Sequence, residues 1–166
     1  MRLLTRAEIW ALALALATGC SHGPSYERFL ASTAPPRPGY ARILVYTPQR
    51  SDVVGYSPEV TVNGEPSGLS RAGSFFYVDR EPGVYQVDVA AKRSLSAFGN
   101  QGESTPARVV LGLGRTAYVR IDVKEVSSIV SAQLRAIEPA DAERTLRELY
   151  YAGAEPGPPA RGRGGP

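Results

Sequence analysis

The chain has 166 residues, of which 43% are hydrophobic, and its formal net charge is +3. This length is enough for one domain with a real core but not for two. So small a positive charge, with no Lys/Arg cluster on any one element, argues against nucleic acid as a main partner. The single cysteine, Cys20, has no second cysteine with which to form an intrachain disulfide or to share a metal.

The N-terminus has the parts of a secretory signal. Arg2 and Arg6 make it positive, the apolar run Ile9–Ala17 is too short to span a bilayer, and small residues precede Cys20. The stretch resembles a bacterial lipoprotein signal, which implies that Cys20 is lipid-modified and becomes the N-terminus after cleavage. Within the same resemblance, the non-aspartate residue Ser21 implies release to the outer membrane. The alternative is an ordinary cleaved secretory signal with an incidental cysteine.

The segment that follows, residues 20–39, is polar and rich in proline, which predicts a semi-rigid tether. Tyr26–Leu30 could form a fragment of helix, but that run is too short to be stable alone. His22 is the only histidine, and in a tether it has no fixed partners that would make it a catalytic or metal-binding group.

The strand signals begin at Arg42–Thr47, which is apolar on both faces and therefore predicts a central strand. The stretch Glu59–Ala90 predicts a β-meander around two turns. Asn63-Gly64 suits a type I′ hairpin turn, because both positions need φ > 0, and Pro82-Gly83 suits a type II turn with a left-handed glycine. Pro66 restricts its own strand to a short run or a sheet edge.

Alternation of apolar and polar residues predicts further strands. Phe75–Val78 is dense in apolar groups and predicts another central strand, whereas Tyr85, Val87 and Val89 alternate with polar residues. The run from Ala117 to Val123 alternates in the same way and leaves three side chains pointing away from the core: Tyr118, Arg120 and Asp122.

Ala91–Pro106 is the longest segment without periodicity, and it contains Phe98 together with charges of both signs. A loop of this length is either functional or a plain crossover between two sheets, and both readings are kept.

The C-terminal part begins with Ile129–Ile137, whose period favours a strand although its composition would tolerate a helix. Glu138–Ala152 then predicts a short amphipathic helix that lies across an open face or edge of the sheets. The last fourteen residues include five glycines and four prolines, which predicts disorder. Arg161 and Arg163 in this tail could touch acidic lipid or polymer, or the tail is simply solvated.

These signals predict a mainly β protein, an antiparallel β-sandwich of about seven or eight strands with one short C-terminal helix. The predicted organisation is a lipoprotein signal peptide at residues 1–19, the tether at 20–39, the β-sandwich domain at 40–152 and a disordered Pro/Gly/Arg tail at 153–166.

Five segments share one set of turn-and-strand signals: Arg42–Tyr46, Ser57–Gly68, Gly73–Val78, Pro82–Val87 and Tyr118–Ile121. On these segments the body of the chain, from Ala41 to about Leu149, resembles a family of short bacterial lipoproteins classed as a domain of unknown function. More distantly, it resembles the PEGA-type β-sandwich modules of bacterial envelope proteins. The resemblance implies a fold and no catalytic residues.

The anchor and the sandwich together predict a lipid-anchored lipoprotein of the cell envelope, in the outer membrane and facing the periplasm, that works as a non-enzymatic binding or accessory module. The expected partners are the membrane, through the N-terminal lipid, and either an envelope protein or peptidoglycan. We expect no nucleic acid, cofactor or metal, and the oligomeric state is left open. The first candidate contact region is the loop with Phe98, and the second is the outward set on the later strand, Tyr118, Arg120 and Asp122.

Two other functions are weighed against this one. A glycan or peptidoglycan binder would stack sugars on exposed aromatic rings, Tyr118 with Tyr56 or Phe98. An envelope enzyme would need a nucleophile with a positioned base, but Cys20 is committed to the anchor and His22 lies in the tether. The carboxylates are scattered along the chain and would form a catalytic pair only if folding brought two together: Asp79, Glu81, Asp88 and Asp122.

Overall fold

A computed structural model describes residues 23–49, 57–90, 100–127 and 129–153. These ranges contain ten strands and two helices. The strands are β1 (Ala41–Thr47), β2 (Glu59–Val62), β3 (Glu65–Leu69), β4 (Ser74–Arg80), β5 (Gly83–Val89), β6 (Asn100–Thr105), β7 (Ala107–Leu111), β8 (Thr116–Val126), β9 (Ile129–Ile137) and β10 (Tyr150–Tyr151). The helices are α1 (Tyr26–Ser32) and α2 (Pro139–Leu146). Neither helix is long and apolar enough to cross a bilayer.

The strands form a β-sandwich, as predicted. One sheet has six strands in the order β10-β4-β1-β8-β9-β6, and the other has four in the order β3-β2-β5-β7. The predicted purely antiparallel pairing of seven or eight strands differs from the structure in two ways. The larger sheet is mixed, because β1 pairs with β8, β10 with β4 and β6 with β9 in parallel. The extra strands, β6 and β10, are edge strands that come from segments predicted as loop and helix.

The predicted meander is wrong in its pairing. Asn63 (φ 50°) and Gly64 (φ 80°) form the tight turn between β2 and β3, and Pro66 lies in the edge strand β3, both as predicted. However, β4 pairs with β1 in the other sheet, so Glu81 and Pro82 cross between sheets and Gly83 does not adopt the left-handed φ of a type II turn. Alternation identifies which residues are buried, but it does not identify the strand with which each one pairs.

The main core lies between the two sheets, where every alternate side chain is apolar. Val87 and Val89 of β5 face this core, as the alternation predicts, and Ile129–Ile137 is a strand. The buried residues of this core are Ala41, Ile43, Val45, Val60, Val62, Phe76, Val78, Val87, Val89, Ala107, Val109, Leu111, Val119, Ile121, Val123, Val130, Ala132 and Leu134.

A second core covers part of the outer face of the six-stranded sheet, which is the face turned away from the four-stranded sheet. Leu44 and Tyr46 of β1 point into it, so all seven residues of β1 are buried and the strand is central, as predicted. The other members come from β4, the two helices and the chain after α2: Tyr26, Phe29, Phe75, Ala142, Leu146 and Leu149. The larger sheet therefore has apolar cover on its inner face and, over β4, β1 and the start of β8, on its outer face as well.

Helix α1 lies in the middle of the segment predicted as a tether, residues 20–39, and differs from that expectation. The ring of Phe29 is 3% exposed, and its centroid lies 5.1 Å from that of Phe75 and 5.2 Å from that of Tyr151. The backbone N–H of Tyr151 donates to the Pro24 carbonyl at 2.9 Å. A seven-residue helix is marginal by itself, so α1 forms because two aromatic side chains on one face, those of Phe29 and Tyr26, are buried on the sheet.

The buried Arg42 fixes the chain between α1 and β1. Its guanidinium donates to both carboxylate oxygens of Asp79, at 2.8 and 3.0 Å, and to the Ala34 carbonyl at 3.1 Å. The same group lies 4.0 Å from the centroid of the Tyr77 ring. Bidentate pairing and a cation–π contact compensate the desolvation of this charge.

The C-terminal helix is confirmed but is shorter than the predicted Glu138–Ala152. It ends at Leu146, and Tyr150–Tyr151 form β10 at the edge of the six-stranded sheet. The backbone N–H groups of Tyr150 and Ala152 donate to the carbonyls of Gly73 and Phe75. The exposed edge of β4 supplies these acceptors. The residue pattern of the helical segment alone therefore does not predict that its last residues form a strand.

Part of the predicted loop Ala91–Pro106 is also a strand. Asn100–Thr105 form β6, which pairs in parallel with β9 at the far edge of the sheet. Its sequence is polar, and a strand held at an edge by backbone hydrogen bonds carries no apolar period. Residues 91–99, which include Phe98, lie outside the described residues.

We expect Phe29→Ala to destabilise the fold by about 3–5 kcal/mol, because the removed ring leaves a cavity in the second core. Leu30→Ala, one position further along α1, is the matched control. Since Leu30 is 58% exposed, its removal should cost less than about 0.5 kcal/mol. Urea unfolding of the chain without its first twenty residues measures both changes, and equal midpoints for the two variants would show that α1 does not pack as described.

Burial of phenol groups in the second core should make the fold sensitive to alkali. Burial raises the pKa of Tyr46 and of Tyr151, and it is also the largest cause of the raised pKa of Tyr26. Because the folded-state pKa values exceed those of the unfolded chain, this stabilisation is complete below pH of about 10 and is lost as the pH rises through the folded-state values. Urea unfolding at a series of alkaline pH values should show the loss, and Tyr46→Phe should reduce it. A pH-independent free energy of unfolding would contradict the assignment.

Candidate interaction surface

The outward side chains of β8 and β9 form an exposed surface beside the helices. In both strands, alternate residues point into the core between the sheets, so their neighbours point to the outer face. The antiparallel register places Arg120 opposite Arg135, and Val126 opposite Ile129 at the hairpin end. We call this surface the β8–β9 face and define it by Arg120, Asp122, Lys124, Val126, Ile129, Ser131, Gln133 and Arg135.

An ion network occupies the centre of the β8–β9 face. The Arg120 Nε donates to Asp122 Oδ1 at 2.7 Å, and the Arg135 Nη2 donates to Asp122 Oδ2. The Asp122 side chain is 16% exposed, that of Arg120 34% and that of Arg135 50%. One carboxylate thus holds two guanidinium groups, and with the exposed Lys124 the face carries an excess of positive charge.

A shallow cleft lies where this face meets the end of α2. Its volume is about 500 Å³, and its lining residues are Pro48, Gln49, Arg120, Thr145, Glu148 and Leu149. Leu149 is buried, while the guanidinium, amide, hydroxyl and carboxylate groups supply hydrogen-bond donors and acceptors. The cleft therefore offers both apolar contact and hydrogen-bonding groups.

The hairpin end of the face is apolar. Val126 is 67% exposed and Ile129 is 48% exposed, and Ser127 between them has a left-handed φ of 51°. The apolar area of the face therefore lies at its hairpin end, beside the charged centre.

The structure brings two of the predicted binding residues onto the same strand but gives them different surroundings. Arg120 lies on the β8–β9 face and lines the cleft. Tyr118 lies two residues earlier, half-buried against the second core, and its hydroxyl donates to Glu143 Oε1 of α2 at 3.4 Å. Burial raises the pKa of Tyr118, and the hydrogen bond with Tyr26 lowers it. Phe98, Tyr56 and Cys20 lie outside the described residues.

Arg135 is the charged residue of the ion network that sequence reasoning did not predict. Its signal was the strand register: the pairing of Val126 with Ile129 places Arg135 opposite Arg120. The alternation alone marked Arg135 as outward but did not give it a neighbour.

Three of the four scattered carboxylates, Asp79, Asp88 and Asp122, have structural partners in the folded chain. Asp79 pairs with Arg42, and Asp122 pairs with the two arginines of the β8–β9 face. Asp88 accepts hydrogen bonds from the Ser104 hydroxyl at 2.6 Å and from the Val89 N–H at 2.7 Å. Within the described ranges, no three His, Cys, Asp or Glu side chains are grouped so that they could hold a metal ion.

Comparison with known proteins gives a family and no closer relative. The chain matches the family model described as a protein of unknown function (DUF2846) over residues 37–133, which is more than half of its length. Neither a curated protein nor a solved structure matches it. The matched residues run from the end of the predicted tether to the middle of β9 and include most of both sheets. The chain therefore belongs to the DUF2846 family of proteins of unknown function.

Proposed function

We propose that this protein is a lipid-anchored lipoprotein of the bacterial envelope, in the outer membrane facing the periplasm, that acts without catalysis by binding another envelope protein through its β8–β9 face. The observation that carries the proposal is the exposure of this face next to a region of the same sheet that two helices cover. A sheet face that is left open with charged and apolar side chains is suited to a protein partner.

The charge arrangement supports a protein partner with acidic groups. Asp122 fixes the guanidinium groups of Arg120 and Arg135 in position, so their planar donors are already oriented before a partner arrives. Arg135 is half exposed and is available for a carboxylate, while the apolar pair Val126 and Ile129 adds area that a partner would bury.

An enzyme is the weaker proposal. General acid–base catalysis needs a titratable group held in a site from which water is largely excluded. The carboxylate in the centre of the face, Asp122, is bound by two arginines, and the cleft beside it is shallow and open to solvent. A glycan binder that stacks sugars on Tyr118 is also weaker, because that ring packs against the second core.

The lipid anchor is tested by Cys20→Ala. We expect the variant to lose all incorporation of a fatty-acid probe, since Cys20 is the only cysteine of the chain, and to be released from the membrane fraction. Ser21→Ala is the matched control and should keep the label. Equal labelling of Cys20→Ala and the parent would contradict a lipoprotein.

The working face is tested by cross-linking in cells. A photo-reactive residue at the exposed Gln133, on the β8–β9 face, should capture one defined envelope protein, whereas the same residue at the exposed Gln86, on the outer face of the four-stranded sheet, should not. Arg135→Glu should reduce the Gln133 product at least tenfold through charge repulsion, which corresponds to about 1.4 kcal/mol. Arg108→Glu, an exposed charge reversal on the other sheet, should leave it unchanged.

Two results would overturn this assignment. Products of equal yield at Gln86 and Gln133, or a Gln133 product that survives Arg135→Glu, would move the contact away from the face. If the protein co-sediments with peptidoglycan sacculi and Arg135→Glu abolishes this co-sedimentation, the partner is peptidoglycan and not a protein.

A further inference from the structure

The folded body of the chain begins very close to Cys20. The carbonyl of Pro24 accepts a hydrogen bond from Tyr151 N–H, and Ser25 forms an antiparallel bridge with Tyr150. A Cβ atom at Gly23 would lie 1.9 Å from the Tyr151 carbonyl oxygen, so the backbone at this position already touches β10 and only glycine fits. The chain is therefore part of the sheet edge from Gly23 onward.

The chain from Gly23 to β1 is held to the sheet at two further points. Phe29 is buried among aromatic rings, and the Ala34 carbonyl accepts a hydrogen bond from Arg42. Because of these contacts, most of the predicted tether is part of the folded domain and cannot act as a spacer between an anchor and the domain.

The remaining reach is short. Cys20 and Gly23 are three residues apart, so their Cα atoms are separated by at most about 11 Å whatever conformation lies between them. If the whole segment 20–39 were free, it could span about 65 Å when extended. The position of α1 thus lowers the possible distance between an anchor and the domain roughly sixfold.

We propose that the domain is held directly on the lipid surface, with the edge formed by Gly23–Ser25 and β10 next to the bilayer. This inference rests on the proposed lipidation of Cys20. The six strands of the larger sheet are spaced about 4.8 Å apart, so β6 lies about 24 Å from β10 across the sheet. The β8–β9 face then lies within about 24 Å of the edge next to the bilayer, so a partner in the same membrane or on its surface is able to reach it.

The experiment uses the full-length protein, purified with its lipid and placed in vesicles of phosphatidylethanolamine and phosphatidylglycerol. Some of the lipid headgroups carry a quencher that acts only on fluorophores in contact with it. A fluorophore is attached either to Glu27→Cys or to Thr105→Cys. Glu27 lies on α1, near the short chain between Cys20 and Gly23, and Thr105 lies on β6 at the opposite edge of the six-stranded sheet. Both native positions are exposed, and lipidation leaves the introduced cysteine as the only free thiol. A second pair of variants carries a twenty-residue Gly/Ser insertion between residues 22 and 23, which leaves Gly23 and the rest of the fold unchanged.

We expect the fluorophore at Glu27→Cys to be quenched severalfold more than that at Thr105→Cys, and the insertion to remove most of this quenching. If the lipid is present but both positions are quenched equally, or if the insertion has no effect, the proposal is overturned while the lipoprotein remains. If fatty-acid labelling finds no lipid on the parent protein, the proposed function fails and this inference fails with it.

Discussion

Strand β1 is apolar on both faces, so both faces must be covered by other parts of the chain. The rest of the fold is arranged to provide this cover. Its inner side chains, among them Ile43 and Val45, are covered by the four-stranded sheet. Its outer side chains, Leu44 and Tyr46, need a second layer, which helices α1 and α2 supply. Because such short helices are marginal in isolation, they and the strand depend on each other.

The same requirement explains where the second layer stops. Besides Arg42, the outward positions of β1 are Leu44 and Tyr46, whereas those in the middle of β9 are Ser131, Gln133 and Arg135. Polar outward residues give a helix nothing to bury against, so the outer face beyond the start of β8 remains open to solvent. Whether the outward residues of each strand are apolar or polar therefore determines where the covered part of the sheet ends. The cleft lies at this boundary.

Sequence reasoning succeeded where a feature is local. The turn at Asn63-Gly64, the edge strand with Pro66 and the central position of β1 all follow from backbone preference or from residues that are close in sequence. It failed on pairing between distant segments, such as β4 with β1 and the parallel pair of β1 and β8, because alternation fixes which face is buried and not which strand is adjacent.

The candidate surface shows the same division. The outward position of Arg120 was predicted correctly, because it follows from the period of its own strand. The environment of Tyr118 could not be predicted, since it depends on where α2 docks, and Arg135 required the register of a hairpin. A helix fragment at Tyr26–Leu30 was considered, but its docking was not predicted, because the stability of α1 comes from tertiary contacts of Phe29 and Tyr26 that a seven-residue window does not contain.

If Cys20 carries the lipid, the contacts that stabilise the second core also set the reach of the protein from the membrane. Undocking of α1 would release residues 23–39 and so lengthen the free chain between the anchor and the domain. It would also expose the rings of Tyr26 and Phe29 and break the hydrogen bond between Arg42 and the Ala34 carbonyl. Burial of an aromatic side chain contributes about 2 kcal/mol or more. Two such rings would keep the released state below about 1% of molecules. A membrane-proximal position is then a consequence of packing, because the aromatic residues that complete the fold leave almost no free chain at the anchor.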